Sequence, residues 1–381
     1  MEFELNEEQK MLRSTLHAFA VTELEPAAAR LEKTGEFPAA EVRKMADLGL
    51  FGLTIPEEYG GGGRGKMELC IAVEELAMAS AAIDNYLRVS LSLAIEPIIE
   101  FGTEEQKQKY LTPHARGEKM ACFALTEAGA GSDPSGILTT AVRRAGGYVI
   151  NGNKVFISIG DKAEIVVVFA STDRSLKGRG ITAFVMDKAT PGLTVGKYED
   201  KMGLRGFAST ELIFQDCYVP EANRIGEEGQ GLKIALTALD ISRITVGAEA
   251  VGISRAAFET ALKYAKERQQ GEQPIANYQA IQWMLADMAT QIDAARLLTY
   301  RAAYLNDQDK PFMKEAAMAK VFASEVSSFV TNKALQIHGG YGYSKDYPLE
   351  RYLRDAKITE IYEGTSEIMR LTIARSLLRE N

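Results

Sequence analysis

Apolar residues recur at helical intervals through the first third of the chain. Between residues 7 and 119 they often fall three or four positions apart, as Met45 and Leu48 do, and Leu50 and Leu53, which is typical of helices with one buried face. The glycine run at 60–63 interrupts the pattern, which resumes at 69–81. Thr103, followed three residues later by Gln106, predicts the start of another short helix. This part of the chain is therefore expected to be helical.

The pattern changes to strands between residues 121 and 220. Runs of β-branched and apolar residues at 165–170 and 181–186 predict buried strands, and 211–214 predicts another. The segment 148–157 places two β-rich runs around Asn151-Gly152, a pair that favours a tight hairpin turn. A compact antiparallel β domain is the interpretation.

Helical periodicity returns after residue 231. Four long segments, at 241–268, 280–306, 314–336 and 365–379, predict a bundle of antiparallel helices with Trp283 in its core. The fold class predicted is α+β with three domains. They are an N-terminal α-helical domain at 1–120, a middle β-barrel-like domain at 121–230 and a C-terminal helical bundle domain at 231–381.

Composition narrows the class of protein. The formal net charge of −8 over 381 residues argues against a nucleic-acid binder. Three cysteines and three histidines, all widely separated, form neither a disulfide framework nor a metal site. The acidic start lacks the features of a signal peptide, and no apolar run is long enough to span a membrane. A cytoplasmic enzyme that holds no metal is expected.

Two segments carry candidate chemistry. Gly339 and Gly340 lie in a glycine-rich run, where the backbone N–H groups can approach a phosphate closely. Some twenty residues later, the carboxylate of Glu363 precedes Gly364, a position suited to a general base. A loop of small and hydroxyl residues at 124–133 lies where the helical and β regions meet, but it matches neither a dinucleotide-binding nor a Walker A motif.

These segments belong to two long motifs, through which the chain resembles the acyl-CoA dehydrogenase family over essentially its whole length, and most closely its short-chain (butyryl-CoA) branch. The first motif is matched by Ala124, Leu125, Thr126, Glu127, Gly131, Ser132, Asp133 and Gly136. The second is matched by Gln336, Gly339, Gly340, Gly342, Tyr343, Asp346, Arg351 and Asp355.

The resemblance implies an oxidoreductase with FAD as cofactor, a flavoprotein of fatty-acid β-oxidation. Glu363 would abstract the α-proton of a short-chain acyl-CoA thioester while the β-hydrogen leaves as hydride to flavin N5, giving the trans-2-enoyl-CoA. The electrons would pass to an electron-transfer flavoprotein, and the enzyme would be a homotetramer, a dimer of dimers.

The resemblance also implies binding residues. FAD would be held by Phe123, Leu125, Thr126, Gly131, Ser132, Phe156, Ile157, Ser158, Arg268, Gln279, Gln336, Ile337, His338, Gly339, Gly340, Thr365, Ser366 and Glu367. The substrate would contact Ser132, Asp240, Ser242, Arg243 and Gly364, with Arg243 meeting the nucleotide end of CoA.

Several positions depart from the family pattern. Phe156 stands where tryptophan is usual, and Ala128 where proline is usual. Gly271-Glu272 replaces a Phe-Gly pair that packs near the adenine of FAD. Gly271→Phe is therefore expected to tighten FAD retention or leave it unchanged, provided that the backbone there does not need a positive φ.

Alternatives remain open. Acyl-CoA oxidases and nitroalkane oxidases share the fold, although nitroalkane oxidation uses an aspartate base. In isovaleryl-type enzymes the base lies at the position of Ser242, so Glu363 is favoured here. A non-catalytic acyl-CoA-binding protein should have lost the base.

Asp84 and Arg88 are one helical turn apart and have two interpretations. The first is an exposed i,i+4 ion pair. The second places Asp84 in the acyl pocket, as a contact or even a second base, of a dehydrogenase for a cyclic (alicyclic) or otherwise functionalised acyl-CoA.

Overall fold

The computed structural model describes residues 4–379, and its first third is helical as the periodicity predicts. The helices are α1 (Glu7–Phe19), α2 (Glu25–Thr34), α3 (Ala39–Asp47), α4 (Lys66–Val89), α5 (Glu96–Phe101) and α6 (Glu104–Ala115). Thr103 caps α6 and shares a capping box with Gln106, because each side chain accepts a backbone N–H of the other. This confirms the predicted start.

Helix α4 is the longest of the six, and it is buried along most of its length. Its regular geometry is broken at Ser80 (φ −160°, ψ 104°), and it continues into a π-helical turn at Ser90–Ala94. Such wide turns often occur at functional sites. The segment between these two irregularities carries both Asp84 and Arg88.

The middle of the chain forms an eight-stranded sheet. Its strands are β1 (Ala121–Ala124), β2 (Thr140–Arg144), β3 (Gly147–Ser158), β4 (Ile165–Ser171), β5 (Ile181–Asp187), β6 (Leu193–Tyr198), β7 (Ser209–Pro220) and β8 (Arg224–Ile225). Their order is β6-β7-β3-β2-β4-β5-β8, with β1 paired to β4. Most pairs are antiparallel as predicted, but β1 runs parallel to β4, and β2 meets β4 in one parallel pair.

The predicted hairpin at Asn151-Gly152 is wrong. Strand β3 continues through both residues, and its pairing with β7 shifts register between Ile150 and Gly152. An Asn-Gly pair suits such a bulge as well as a turn, because both need an unusual backbone conformation. The chain reverses instead between β2 and β3, where Arg144 pairs with Gly147.

The C-terminal part is a helical bundle. It contains α7 (Gly231–Glu267), α8 (Gln279–Asp307), α9 (Met313–His338), α10 (Leu349–Ile358) and α11 (Ser366–Leu377), with a short hairpin of β9 (Gln269–Gln270) and β10 (Gln273–Pro274) after α7. The four predicted helices are confirmed, and α10 is an addition. Helix α7 is the centre of the core, because it packs against α4, α8 and α9.

Trp283 does not lie in this core. Its side chain on α8 is 64 % exposed, because the part of α8 around it turns toward solvent in the single chain. Across residues 4–379, no helix combines the length and apolar character needed to cross a membrane.

Candidate active site

Glu363 lies in the short connection between α10 and α11. Its backbone is in the left-handed region (φ 55°), and the next residue, Gly364, has φ 104°. L side chains rarely adopt the conformation of Gly364, so this position favours glycine. Non-glycine residues in this conformation are uncommon and cluster at functional sites.

Two cations hold the backbone of this connection. Arg243 on α7 donates from Nε to the carbonyl oxygen of Glu363 (3.1 Å), and Lys320 on α9 donates from Nζ to that of Gly364 (2.6 Å). Burial lowers the pKa of Lys320 to about 8, although Glu363 opposes this shift. The strained turn is therefore tied to two helices of the bundle.

The Glu363 carboxylate is nearly buried, with 7 % of the side chain exposed. Its Oε1 accepts a hydrogen bond from Arg88 Nη1 at 2.8 Å. Its Oε2 is buried and has no hydrogen-bond partner in the described part of the chain. One oxygen is thus held by a cation, and the other is left for a further partner.

Arg88 is completely buried on α4 and contacts three more groups. Its Nη2 donates to Asn85 Oδ1 (2.7 Å), and its Nε lies 3.1 Å from Glu249 Oε2 on α7. The guanidinium group also lies 4.9 Å from the centre of the Tyr362 ring. Asn85 and Tyr362 each donate a hydrogen bond to Glu249. These residues form one buried polar cluster beside Glu363.

Asp84 is fully buried, so the interpretation of Asp84 and Arg88 as an exposed ion pair is wrong. The guanidinium group of Arg88 points to Glu249 and Glu363, and neither Asp84 oxygen has a hydrogen-bond partner within residues 4–379. Burial raises the pKa of Asp84 well above its usual value; Glu249 raises it further, and Arg88 opposes the shift. The surroundings of Asp84 therefore favour its protonated form, because burial disfavours the charged form.

The residues predicted to bind substrate lie on α7, beside Glu363 and on the β-domain loop. Asp240, Ser242 and Arg243 are all buried on α7, and Arg243 is ion-paired to Asp240. The hydroxyl oxygens of Ser242 and Ser92 lie 3.3 Å apart. Gly364 adjoins Arg243, whereas Ser132 is exposed on the β-domain loop.

The predicted flavin contacts on the β domain surround an exposed aromatic ring. The side chain of Phe156 is 62 % exposed. Its backbone has a positive φ of 57°, which makes strand β3 irregular at this residue. Phe123 is buried against Phe169, with ring centres 4.8 Å apart. Leu125 and Ile157 are also buried, Thr126 and Ser158 are half-buried, and Gly131 is exposed.

The loop that carries these contacts is anchored by a buried ion pair. Lys154 Nζ donates to Leu125 O (2.9 Å) and to Glu127 Oε1 (2.8 Å). Glu127 also accepts the backbone N–H groups of Leu138 (2.6 Å) and Thr139 (3.0 Å). Burial lowers the pKa of Lys154 to about 8, partly opposed by Glu127.

A cavity of about 710 Å³ lies at the far end of α9. Arg268, Ile337, His338, Gly339 and Gly340 line it. These residues fit the diphosphate and adenosine of FAD: a Cβ added at either glycine would meet no atom within 4 Å, and His338 Nε2 is buried without a hydrogen-bond partner in the described chain.

The other predicted FAD residues lie on three helices. Gln279 and Gln336 are exposed at the start of α8 and near the end of α9. The remaining three are at the start of α11, where Thr365 caps the helix through its hydroxyl and the N–H of Ile368 (3.4 Å), Ser366 is buried and Glu367 is exposed.

The expectation for Gly271 changes with its conformation. Gly271 has φ +67° and forms, with Glu272, the turn of the β9–β10 hairpin. The condition attached to Gly271→Phe is therefore not met, and the substitution would strain the turn.

Sequence reasoning missed several residues of the site. Glu249, Tyr362 and Lys320 were not selected, and Lys154 was treated only as part of a strand. Buried charges are rare in cores unless paired. The signal available was therefore a charged residue within an apolar helical run, such as Glu249 between Val246 and Val251.

Family models cover nearly the whole chain. The acyl-CoA dehydrogenase N-terminal, middle and C-terminal domains match residues 6–118, 122–217 and 229–378. A protein named acryloyl-CoA reductase (NADH), from Anaerotignum propionicum, is 51 % identical over 100 % of this chain and 96 % of its own length.

Solved structures resemble the chain over its full length. Butyryl-CoA dehydrogenase from Megasphaera elsdenii has a TM-score of 0.98 at 44 % identity, with 100 % of both chains covered. A chain in a structure described for the electron transferring flavoprotein of Acidaminococcus fermentans has the same TM-score at 48 % identity, again covering 100 % of both chains.

Proposed function

This chain belongs to the acyl-CoA dehydrogenase family, and we propose that it oxidises a short-chain acyl-CoA thioester to the trans-2-enoyl-CoA with FAD as its cofactor. The observation that carries the proposal is Glu363, a nearly buried carboxylate with one oxygen held by Arg88 and the other without a hydrogen-bond partner among residues 4–379. A carboxylate so arranged can accept a proton from carbon without competition from water.

Glu363 would be the general base. Its free Oε2 would take the α-proton, breaking the α C–H bond and forming an O–H bond. Arg243 and Lys320 fix the backbone on either side of the peptide bond to Gly364, so the carboxylate is presented from a rigid turn. Ser242, at the alternative base position, carries a neutral hydroxyl that contacts Ser92.

FAD would lie between the proposed domains 121–230 and 231–381, with the helical domain 1–120 beside the acyl group. Phe156 and the loop at 123–132 would contact the flavin end, and Arg268, Gln279 and residues 336–340 would hold the diphosphate and adenosine. Thr365, Ser366 and Glu367 would add contacts at the start of α11. When bound, FAD supplies the redox chemistry by accepting the β-hydrogen as hydride.

The CoA thioester would enter along α7. Asp240 and Ser242 would line its path, Gly364 would leave space beside the thioester, and Ser132 would approach the pantetheine from the β domain. Because Arg243 is buried and bonded to the Glu363 carbonyl, its role in this proposal is to hold the base turn rather than to reach the nucleotide end of CoA.

Assembly and electron transfer complete the proposal. A homotetramer would cover the exposed Trp283 on α8 and Tyr343, which is 85 % exposed; large aromatic side chains are typical of interfaces. An electron-transfer flavoprotein is the proposed acceptor, in line with the structural relative from A. fermentans. A cytoplasmic location fits the three free, buried cysteines and would be tested by cell fractionation.

A dehydrogenase for a cyclic or otherwise functionalised acyl-CoA is the second candidate. The observation that favours it is Asp84, whose two buried oxygens have no partner in the described chain. A linear alkyl chain has no polar atom that could form a hydrogen bond with Asp84, whereas a polar acyl group could supply one. The name of the 51 % identical relative describes reduction of a three-carbon enoyl-CoA. The direction in which this chain catalyses the reaction is therefore a further property to test.

One experiment separates these possibilities. The purified yellow protein is mixed without oxygen with propionyl-, butyryl-, valeryl- and cyclohexanecarbonyl-CoA, and its flavin absorbance and enoyl-CoA product are followed; acryloyl-CoA is added to the reduced protein. The proposal expects butyryl-CoA to bleach the flavin fastest. Bleaching by the alicyclic thioester alone would establish the second candidate, and no bleaching by any thioester would contradict both.

A further inference from the structure

We propose that Arg88 is a positioning residue for the base: its guanidinium group holds one oxygen of the Glu363 side chain and leaves the other directed to the substrate. This inference rests on the proposed function of Glu363. It differs from that function because it assigns a role to a buried arginine on another helix, 275 residues away along the chain.

The contacts of Arg88 make it a rigid anchor. Asn85 and Glu249 occupy two sides of the guanidinium group, and Glu249 is itself held by hydrogen bonds from Asn85 and Tyr362. The remaining side, at Nη1, meets Glu363. The planar guanidinium group of an arginine that is held on two sides can orient a carboxylate. The ammonium group of a lysine acts instead as a point charge.

The charges of the cluster lead to the same role. Three buried carboxyl groups, Asp84, Glu249 and Glu363, face one guanidinium group. Burial raises the pKa of Glu249, and Arg88 opposes that shift. Arg88 contacts Glu249 and Glu363, whereas neither oxygen of Asp84 has a hydrogen-bond partner within residues 4–379, so the positive charge is shared between Glu249 and Glu363. Among the contacts of residues 4–379, Arg88 is the one cation that touches the Glu363 side chain.

The other cations near Glu363 do not replace it. Arg243 and Lys320 donate hydrogen bonds to backbone carbonyl oxygens. They therefore hold the backbone of the turn in position but do not orient the carboxylate. Tyr362 donates its hydroxyl to Glu249. Without Arg88, the Glu363 carboxylate would lose its one side-chain hydrogen bond within residues 4–379, and Oε2 would no longer be held in a fixed direction.

The consequence can be measured without dehydrogenation. Acetyl-CoA has α-hydrogens but no β-carbon, so the holoenzyme in D₂O can only exchange its α-hydrogens for deuterium. The exchange rate, followed by mass spectrometry between pH 5 and 9, reports proton transfer to Glu363 alone. Arg88→Gln is the test variant. Arg88→Lys keeps the positive charge but lacks the planar guanidinium group.

A second, partly buried arginine between the same helices provides the control. Arg255 on α7 bridges Glu74 (2.8 Å) and Glu75 (2.6 Å) of α4, and 16 % of its side chain is exposed. Arg255→Gln therefore also removes a positive charge paired with carboxylates between α4 and α7, and it should lower the unfolding temperature without changing exchange. Unfolding temperature and FAD content are measured for every variant.

We expect Arg88→Gln to slow exchange at pH 7 about 10²-fold, a loss typical of a misplaced catalytic group. Arg88→Lys should recover part of the rate. If Arg88→Gln or, should that variant not fold, Arg88→Lys exchanges at the same rate as Arg255→Gln, the positioning role is wrong. Normal exchange by Glu363→Gln would instead overturn the proposed base itself.

Discussion

Arg88 Nη1 lies 2.8 Å from Oε1 of Glu363, and both side chains are almost wholly removed from water. The contact joins α4 to the strained turn before α11. A buried ion pair is weak evidence for stability, because desolvation offsets much of the attraction. The position of this pair beside the proposed base argues for a role in orienting the carboxylate.

Asp84→Asn should be tolerated by linear substrates and should stabilise the fold above neutral pH. The folded-state pKa of Asp84 is raised by burial, so unfolding releases its proton when the pH exceeds the usual aspartate value. Stability then falls with rising pH, by at most about 1.4 kcal/mol per pH unit, until the folded-state pKa is passed. Asparagine removes this dependence.

Urea unfolding of both proteins between pH 4 and 9 measures the effect. Butyryl-CoA turnover should be little changed, because neither oxygen of Asp84 has a hydrogen-bond partner among residues 4–379, Glu363 included. A variant that loses butyryl-CoA turnover, or whose stability keeps the full pH dependence, would show that Asp84 is charged or catalytic.

Glu127→Ala should destabilise the protein by about 3–5 kcal/mol, because it leaves the buried ammonium group of Lys154 without its carboxylate. FAD content should fall as well, since Lys154 also holds the carbonyl oxygen of Leu125. Denaturant unfolding and flavin absorbance check both effects. The double variant Glu127→Ala/Lys154→Met should regain part of the stability; a double variant as unstable as the single one would refute the ion-pair explanation.

Gly271→Phe should weaken FAD retention, contrary to what the family comparison suggests. A side chain at φ +67° costs about 1–2 kcal/mol, and the strained hairpin carries Gln270 at the rim of the cavity. Release of FAD during dilution, monitored by flavin fluorescence, provides the measurement. Glu272→Ala, in the same turn, is the control, and FAD retention by Gly271→Phe equal to that of the control would exclude strain.

Trp283→Glu should reduce the assembly to smaller oligomers. Tryptophan is enriched among interface residues whose truncation costs 2 kcal/mol or more, and a charge at a buried contact is costly. Sedimentation velocity at several concentrations measures the shift. Met11→Glu, which changes an equally exposed apolar side chain on α1, should leave the assembly unchanged. Identical sedimentation of both variants would show that Trp283 on α8 is not part of the subunit interface.

Periodicity predicted the helices and strands well because packing follows local patterns. The four bundle helices and the strands at 165–170 and 181–186 lie where the sequence places them. Asn151-Gly152 misled because the same residues serve turns and bulges, and only pairing with β7 distinguishes the two.

The site was predictable in part. Glu363 was found through its motif, but its contact with Arg88 joins residues too distant for any local pattern. The exposed interpretation of Asp84 and Arg88 used helical spacing alone, which places two residues on one face without saying what covers that face. The apolar run from Leu76 to Val89 was the available sign of burial.

The most direct measurement is anaerobic flavin reduction by butyryl-CoA in the wild-type protein and in Glu363→Gln. Glutamine keeps the size and polarity of the side chain but cannot accept the α-proton, so reduction should slow by at least about 10²–10⁴-fold. FAD content and unfolding temperature should be unchanged. Flavin bleaching at a near wild-type rate in Glu363→Gln would contradict the assignment of Glu363 as the base.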